Sequence, residues 1–239
     1  MKLELHRVGA QHNEVAALRY LPGRPRSVTI VAAHGYSSSK QNLDPLCAFL
    51  AGHGFELFSL DFPGHKLGAS GGVLRSFDDC LDAMASVVAF AKERSGRAPY
   101  VLGHSMGAIT SLVTAGSDSS IRGAVAIATG YRRPAALIEM QKTFTTDFRS
   151  AYVDGAPLLD LMTQAEPHFD TALAGLEGRP ALYVAAVHDA MVKESSVREL
   201  FDAAPQPKQF MRIESNHTFA AENARGDVLR WFNELHPRQ

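Results

Sequence analysis

Pro99-Tyr100-Val101-Leu102-Gly103-His104-Ser105-Met106-Gly107-Ala108, continued by Ile109-Thr110-Ser111-Leu112-Val113-Thr114-Ala115, is the stretch whose reading decides the fold. A short apolar run leads into Gly-x-Ser-x-Gly, and a small-residue segment of helical character follows. A serine on a sharp strand-to-helix turn is held in a strained backbone conformation, which only small flanking residues permit. Gly103 and Gly107 supply that smallness, so Ser105 is expected to stand exposed at the end of its strand. The five-residue pattern alone is weak, since glycine-serine turns are common. The strand before it and the helix after it make it strong.

Upstream, residues 27–33 form an unbroken apolar run of the kind buried on both faces of a parallel sheet. The small-residue loop His34-Gly35-Tyr36-Ser37-Ser38-Ser39 leaves that strand, and residues 42–52 carry Leu43, Leu46, Cys47 and Leu50 at helical spacing. Residues 55–60 read as another buried strand, ending in a glycine-rich loop over 61–72. Ser76 is placed to cap the next helix, in which Cys80, Leu81, Met84, Val87, Val88 and Ala91 keep one face. Residues 2–8 and 14–21 alternate apolar and polar positions and predict an antiparallel hairpin at a sheet edge.

Downstream, residues 121–128 predict a buried strand, 181–187 and 209–213 two more, and 193–203 and 221–235 helices. Residues 129–179 differ, with helical patches at 135–148 and 157–164 and no convincing strand. Strands alternating with helices argue an α/β chain with a mostly parallel sheet of about eight strands and helices on both faces. The length of 239 residues admits one such domain or two small ones. The pattern is read as a single domain, 1–239, carrying a small helical cap insertion at about 130–178, too short for a core of its own.

Composition narrows the function classes. The 24 basic and 25 acidic residues leave a net charge of −1, so no global field favours nucleic acid or a membrane surface. Cys47 and Cys80 lack metal-ligand spacing and read as ordinary thiols. Neither a secretory leader nor a membrane-spanning run is visible, so a cytoplasmic protein is expected.

In such sheets reactive groups gather on loops past the carboxyl ends of strands. A serine hydroxyl needs a base to take its proton, and that base needs a third group to fix its tautomer. Among ten histidines, His217 follows the last strand in Glu214-Ser215-Asn216-His217-Thr218-Phe219. Asp189 follows the preceding strand in His188-Asp189-Ala190-Met191-Val192. Asp154, Asp160 and Asp170 are rival acids, but they fall in the insertion with no strand before them. His188 precedes His217 and reads as a loop residue; His104 is expected to point away from the serine, as a structural residue or a wall of the elbow, and His34 and His65 to hydrogen-bond loop backbone. No pair has zinc-like spacing, so no metal or other cofactor is expected.

Strand, Gly-x-Ser-x-Gly, helix, then Asp, then His, in that order, resembles the α/β-hydrolase superfamily. His34-Gly35 after an early strand resembles its oxyanion loop. Asp61-x-Pro-Gly-His resembles a loop of the compact serine esterase and monoacylglycerol-lipase-like branch. The likeness extends over essentially the whole chain and implies an α/β-hydrolase fold. It further implies Ser105 as nucleophile, His217 as general base and then acid, and Asp189 as the group orienting His217. The backbone N–H groups of Tyr36 and Met106 would form the oxyanion hole, each donor contributing about 3–4 kcal/mol to lowering the barrier. The sequence departs from the pattern in lacking a Gly-Gly extension after His34 and in carrying Lys66 where many relatives have glycine.

The implied activity is hydrolysis of a small to medium carboxylic ester or thioester through an acyl-enzyme. The same triad also serves amide, peptide or C–C bond hydrolysis and acyl transfer, and a binding protein can retain the fold without turnover. A small-molecule substrate is expected, without nucleic acid or a membrane span; the sequence is silent on oligomeric state. Tyr36, Tyr131, Arg132, Met140 and Phe144 are candidate substrate contacts. Apolar residues of the insertion, among them Ile138, Phe148, Tyr152, Leu158, Leu159, Met162 and Phe169, are candidates for an acyl pocket or for gluing the insertion to the body. Arg132 and Arg133 are placed to hold a substrate carboxylate or phosphate, or to form a solvated charge pair.

Overall fold

The computed structural model describes residues 1–131, 134–135, 137–138 and 146–237, without the side chains of 146–148 and 170. Its strands are β1 Lys2–Gly9, β2 Glu14–Leu21, β3 Thr29–Ala33, β4 Glu56–Leu60, β5 Tyr100–His104, β6 Ala124–Ile127, β7 Ala181–Ala186 and β8 Lys208–Ile213. They form one eight-stranded sheet in the order β1-β2-β4-β3-β5-β6-β7-β8. The β1–β2 and β2–β4 pairs are antiparallel, and every other neighbouring pair is parallel. This is the α/β-hydrolase fold.

The described α-helices with assigned bounds are α1 Asp44–Gly52, α2 Phe77–Ser95, α3 Met106–Ser117, α4 Leu158–Ala165, α5 Phe169–Gly175, α6 Glu194–Ala203, α7 Ala220–Asn223 and α8 Arg225–Leu235. Successive residues of a strand point to opposite faces, so an unbroken apolar strand feeds two cores. Val31 and Ala33 of β3 join a cluster with α2 and α3, while Ile30 and Ala32 join one with α1 and α8, including Trp231 and Phe232. All five residues of β3 are buried. Cys47 and Cys80 lie one in each cluster as free thiols.

The chain winds from β3 outward to β4, then crosses to β5 on the other side of β3. Loops leaving adjacent strands at such a reversal part from one another and open a crevice at the carboxyl ends. The loops after β3 and β5 are the two that diverge here.

Two local expectations need correction, those for Ser76 and for residues 221–235, while the edge hairpin is met. Ser76 does precede α2, but its side chain makes no cap hydrogen bond. The Phe77 N–H instead donates to Gln164 Oε1 of α4 at 2.8 Å, and the Arg75 N–H to Asp79 Oδ2 at 2.7 Å. A packed neighbour has taken the donor that a local serine serves in an isolated helix. The edge hairpin forms as predicted, yet Leu3 and Leu5 of β1 face solvent, because β1 is the outermost strand and α2 packs against its other face. The helix predicted at 221–235 is two helices, α7 and α8.

Between β6 and β7 the predicted helical patch at 157–164 appears as α4, preceded by the 3-10 turn Thr146–Tyr152 and followed by α5. Most of the patch predicted at 135–148 lies outside the described residues. A Cβ on Gly116 of α3 would sit 2.2 Å from the Ala172 carbonyl of α5, and one on Gly175 2.1 Å from that of Gly116. Backbone contact that close is open only to glycine, and it clamps α5 onto α3. Lys66, a departure noted in the sequence, ties the 61–72 loop to the same segment through Asp154 Oδ1 at 2.9 Å and the Ala151 carbonyl at 3.1 Å.

Candidate active site

Ser105 sits between β5 and α3 with φ 54° and ψ −119°, a conformation non-glycine residues hold only where surrounding structure imposes it. Here the imposition is visible. The Ser105 N–H donates to the Ile127 carbonyl at 2.9 Å, and its carbonyl accepts from the Ala108 N–H at 3.0 Å. A Cβ on Gly103 would lie 2.1 Å from the Gly107 carbonyl oxygen, and one on Gly107 2.2 Å from that of Ala33. Both glycines are therefore required by space, as the elbow pattern predicts.

His217 lies between β8 and α7, and its Nε2 is 3.1 Å from Ser105 Oγ. Its Nδ1 is 2.7 Å from Asp189 Oδ2. Asp189 is buried, and its other oxygen accepts from the N–H groups of Met191 and Val192, each at 2.8 Å. Those two bonds fix the carboxylate plane. A carboxylate at Nδ1 keeps the proton there and leaves Nε2 as an acceptor facing the serine. Asp189 thus contacts the imidazole, whereas its sequence rival Asp154 pairs with Lys66 and Asp160 is exposed.

His104, next to the serine, turns away from it. Its Nε2–H donates to the His217 carbonyl at 2.9 Å, and the two rings lie 4.9 Å apart. Desolvation, with the neighbouring His217 second, pushes its pKa down to about 3, so the ring is neutral and has one N–H to give. The sequence reading expected this histidine to point away from the serine, as a structural residue or a wall of the elbow; its bond to the His217 loop carried no local signal.

The loop after β3 packs on the elbow, since a Cβ on Gly35 would lie 3.2 Å from Ser105 Cβ. Tyr36 follows it, with its hydroxyl donating to the Ala156 carbonyl at 3.2 Å. Met106 is the first residue of α3, where a backbone N–H has no partner within the helix.

Beneath this loop lies a buried polar cluster. His34 Nδ1–H donates to the Gly35 carbonyl at 2.7 Å, and His34 Nε2 accepts the Phe62 N–H at 3.0 Å. His65 Nδ1–H donates to the Pro63 carbonyl at 3.0 Å. Desolvation lowers the pKa of both rings. Asp61 accepts from the Lys40 and Ala69 N–H groups, each at 2.7 Å, and pairs with the Lys40 ammonium. Burial alone would raise the Asp61 pKa; His34, Lys40 and those N–H groups outweigh it and hold the carboxyl below its usual range.

A cavity of about 140 Å³ opens beside Ser105 and His217. Tyr36, Ser37, Asn42, Arg149, Leu158 and Thr218 are among its lining residues. Of the apolar residues predicted for an acyl pocket, Met162 and Phe169 are buried in the core, Ile138 and Tyr152 are exposed, and Leu158 lines the cavity. Tyr131 packs on Phe169, ring centroids 5.5 Å apart, outside that lining. Arg132, Arg133, Met140 and Phe144 lie outside the described residues. Arg149, Ser37, Asn42 and Thr218 had no sequence signal, because only folding brings their four segments to one wall. A larger surface groove of about 1140 Å³ runs along the segments leading into β3 and β4, at the opposite end of those strands. Among the described residues no group of His, Cys, Asp and Glu is placed to hold a metal ion, and no helix is long and apolar enough to cross a membrane.

Residues 24–168 match the family described as serine aminopeptidase, S33. That segment contains Ser105 and ends before Asp189 and His217. No curated protein matches the chain. Among solved structures the chain is similar to the esterase domain of a Rhodothermus marinus protein, with a TM-score of 0.73 at 18% identity over 98% of this chain and 99% of that one. It is also similar to the Pyrococcus furiosus esterase Pf2001, with a TM-score of 0.76 at 16% identity over 98% and 91%. The thioesterase domain from the curacin biosynthetic pathway gives a TM-score of 0.73 at 12% identity over 98% and 100%.

Proposed function

The chain belongs to the serine aminopeptidase S33 family of α/β hydrolases, and from that premise we propose that it cleaves a small carboxylic ester or thioester through a covalent acyl-enzyme on Ser105. The observation that carries this reading is the unbroken contact chain Asp189–His217–Ser105, at 2.7 Å and 3.1 Å, ending on a positive-φ serine at a strand-to-helix turn.

In the proposed sequence His217 Nε2 takes the hydroxyl proton as Ser105 Oγ attacks the acyl carbon. Asp189 holds the imidazole in the right tautomer and stabilises the cation that forms. The N–H groups of Tyr36 and Met106 receive the developing oxyanion, the Met106 group at the positive end of α3. His217 then protonates the leaving group, and water activated by the same ring releases the acyl group and regenerates the serine. Residues of the 130–178 segment serve as a small cap, with Arg149 and Leu158 contributing to the cavity wall.

The test is a burst experiment with p-nitrophenyl acetate. A rapid phase of nitrophenol stoichiometric with enzyme is expected, and Ser105→Ala should lower turnover by at least about 10³-fold with unchanged circular dichroism. Undiminished turnover in that variant would remove the mechanism. The family's description favours a second reading, amide or peptide hydrolysis with the same residues. Aminoacyl p-nitroanilides assayed beside acyl esters and thioesters decide between them by kcat/KM.

A further inference from the structure

β1 ends one side of the sheet, and among the described residues no strand pairs with its outer edge. Its ladder with β2 runs unbroken from Lys2 to Gly9, with neither a proline nor a bulge to blunt it. In an antiparallel pair the backbone groups of successive residues point alternately toward the partner strand and away from it. The Ala10 N–H donates to the Asn13 carbonyl, which sets the phase of that alternation. Ala16 confirms it, giving its N–H to Ser70 Oγ and accepting the Asp61 N–H, so it faces away from β1. Its register partner Arg7 therefore faces away from β2. Leu3 and Leu5 share that phase. Three residues thus hold N–H and C=O groups out at the open edge, a template for a further strand.

The side chains along this edge are unusual for a solvated border. Leu3 and Leu5 are 49% and 56% exposed, and Leu5 stands beside half-buried Leu18 on one face. On the other face His6 rests on the Phe90 ring, with centroids 5.0 Å apart. Its Nε2 is buried and makes no hydrogen bond, at 3.4 Å from Glu4 Oε2 of its own strand.

A second copy of β1 fits this edge, and charge selects the register. The outward-facing residues are all odd-numbered, so a two-fold pairing sets odd residues opposite odd ones. Centred on Leu5, it places Leu5 against Leu5, Leu3 against Arg7, and Glu4 against His6 on both sides of the dyad. Leu18, Leu5 and their two copies then form one apolar row across four strands. A shift of the centre to Glu4 sets Glu4 against Glu4, and a shift to His6 leaves Glu4 opposite Val8 and Leu5 opposite Arg7. Like charges directly opposite are unfavourable, whereas opposite charges and apolar pairs stabilise. A centre at Leu3 matches Lys2 with Glu4 but joins fewer residues.

We propose that the chain forms a two-fold dimer in which β1 pairs antiparallel with β1 of a second copy, centred on Leu5, so that one sheet runs through both copies.

Sedimentation equilibrium of the native protein tests this directly. Twice the chain mass is expected at high micromolar concentration, and a monomer throughout overturns the proposal. Leu5→Lys sets two ammonium groups against each other at the dyad and should sediment as a monomer over the same range. Its circular dichroism should be unchanged, since Leu5 is exposed. A dimer that persists in this variant also overturns the proposal. Should Leu5→Lys fail to fold, cysteine variants decide in its place. Two copies of residue 5 in such a pair have Cα atoms about 5.5 Å apart. Lys2 instead faces Val8 of the second copy, which separates the two Lys2 Cα atoms by about 20 Å along the strand. Dibromobimane, which links only closely spaced thiols, should cross-link Leu5→Cys into a dimer and leave Lys2→Cys monomeric. Cys47 and Cys80 are buried and stay out of the reaction. No cross-link at position 5, or equal cross-linking at both positions, overturns the pairing.

Discussion

Ser105 and His104 are neighbours in sequence with divided tasks, one facing the cavity and the other holding the loop that carries His217. The His104 Nε2–H bond to the His217 carbonyl is the fixed point from which the imidazole reaches Ser105 Oγ. His104→Leu removes that donor and leaves the carbonyl without it, which is expected to lower kcat on p-nitrophenyl acetate about 10-fold through misplacement of the base. His104→Gln, which retains a side-chain N–H, should recover most of the rate. A Leu variant with native kcat would show that the bond does not position the base. The three contacting residues Ser105, His217 and Asp189 were all singled out in the sequence, because strand ends and chain order mark them. His104 was expected to point away from the serine, and its ring does; its task was not legible, since the carbonyl it holds lies 113 positions away.

At the scale of elements, the elbow depends on α3 lying against the end of β3. Gly107→Ala would put a methyl 2.2 Å from the Ala33 carbonyl and 2.5 Å from that of His34, neither of which is a movable side-chain end. A loss of about 3 kcal/mol is expected, or a fall of roughly 6–12 °C in Tm for a domain of this size. Gly226 in α8 is the contrast, exposed and with nothing within 4 Å of an added Cβ. Gly226→Ala should stabilise by about 0.5–1 kcal/mol through helix propensity. Thermal melts of the two variants check both signs, and equal shifts would refute the spatial argument. Apolar runs and helical spacing located the elements well. Their termini were less legible, as at α2, whose first N–H group is served by Gln164 from α4 instead of by Ser76.

Across the molecule, folding buries His34 and His65 almost completely and desolvates the His104 ring, lowering all three pKa values. Below the unfolded value of about 6.5 the unfolded chain binds protons that the folded chain does not, so stability falls as pH drops from there toward the folded values. Each such histidine contributes a slope of up to about 1.4 kcal/mol per pH unit within that window. Asp61 acts at lower pH: its stabilisation is present above the ordinary carboxylate pKa and is lost as pH falls through the depressed folded value. Denaturant midpoints measured from pH 7.5 to pH 5 should decline progressively, and a flat series would contradict the neutral burial of these rings. By itself the sequence determined the α/β architecture, the elbow and the residues able to meet there, because apolar periodicity and glycine spacing are local and the loops that follow each strand are read directly from the chain; the order of the strands in the sheet was not. The cavity wall, in which Arg149 meets Ser37, was decided only in three dimensions. Arg149 and Ser37 lie 112 positions apart, and their meeting depends on how the segment after β6 packs against the body, which no local pattern records.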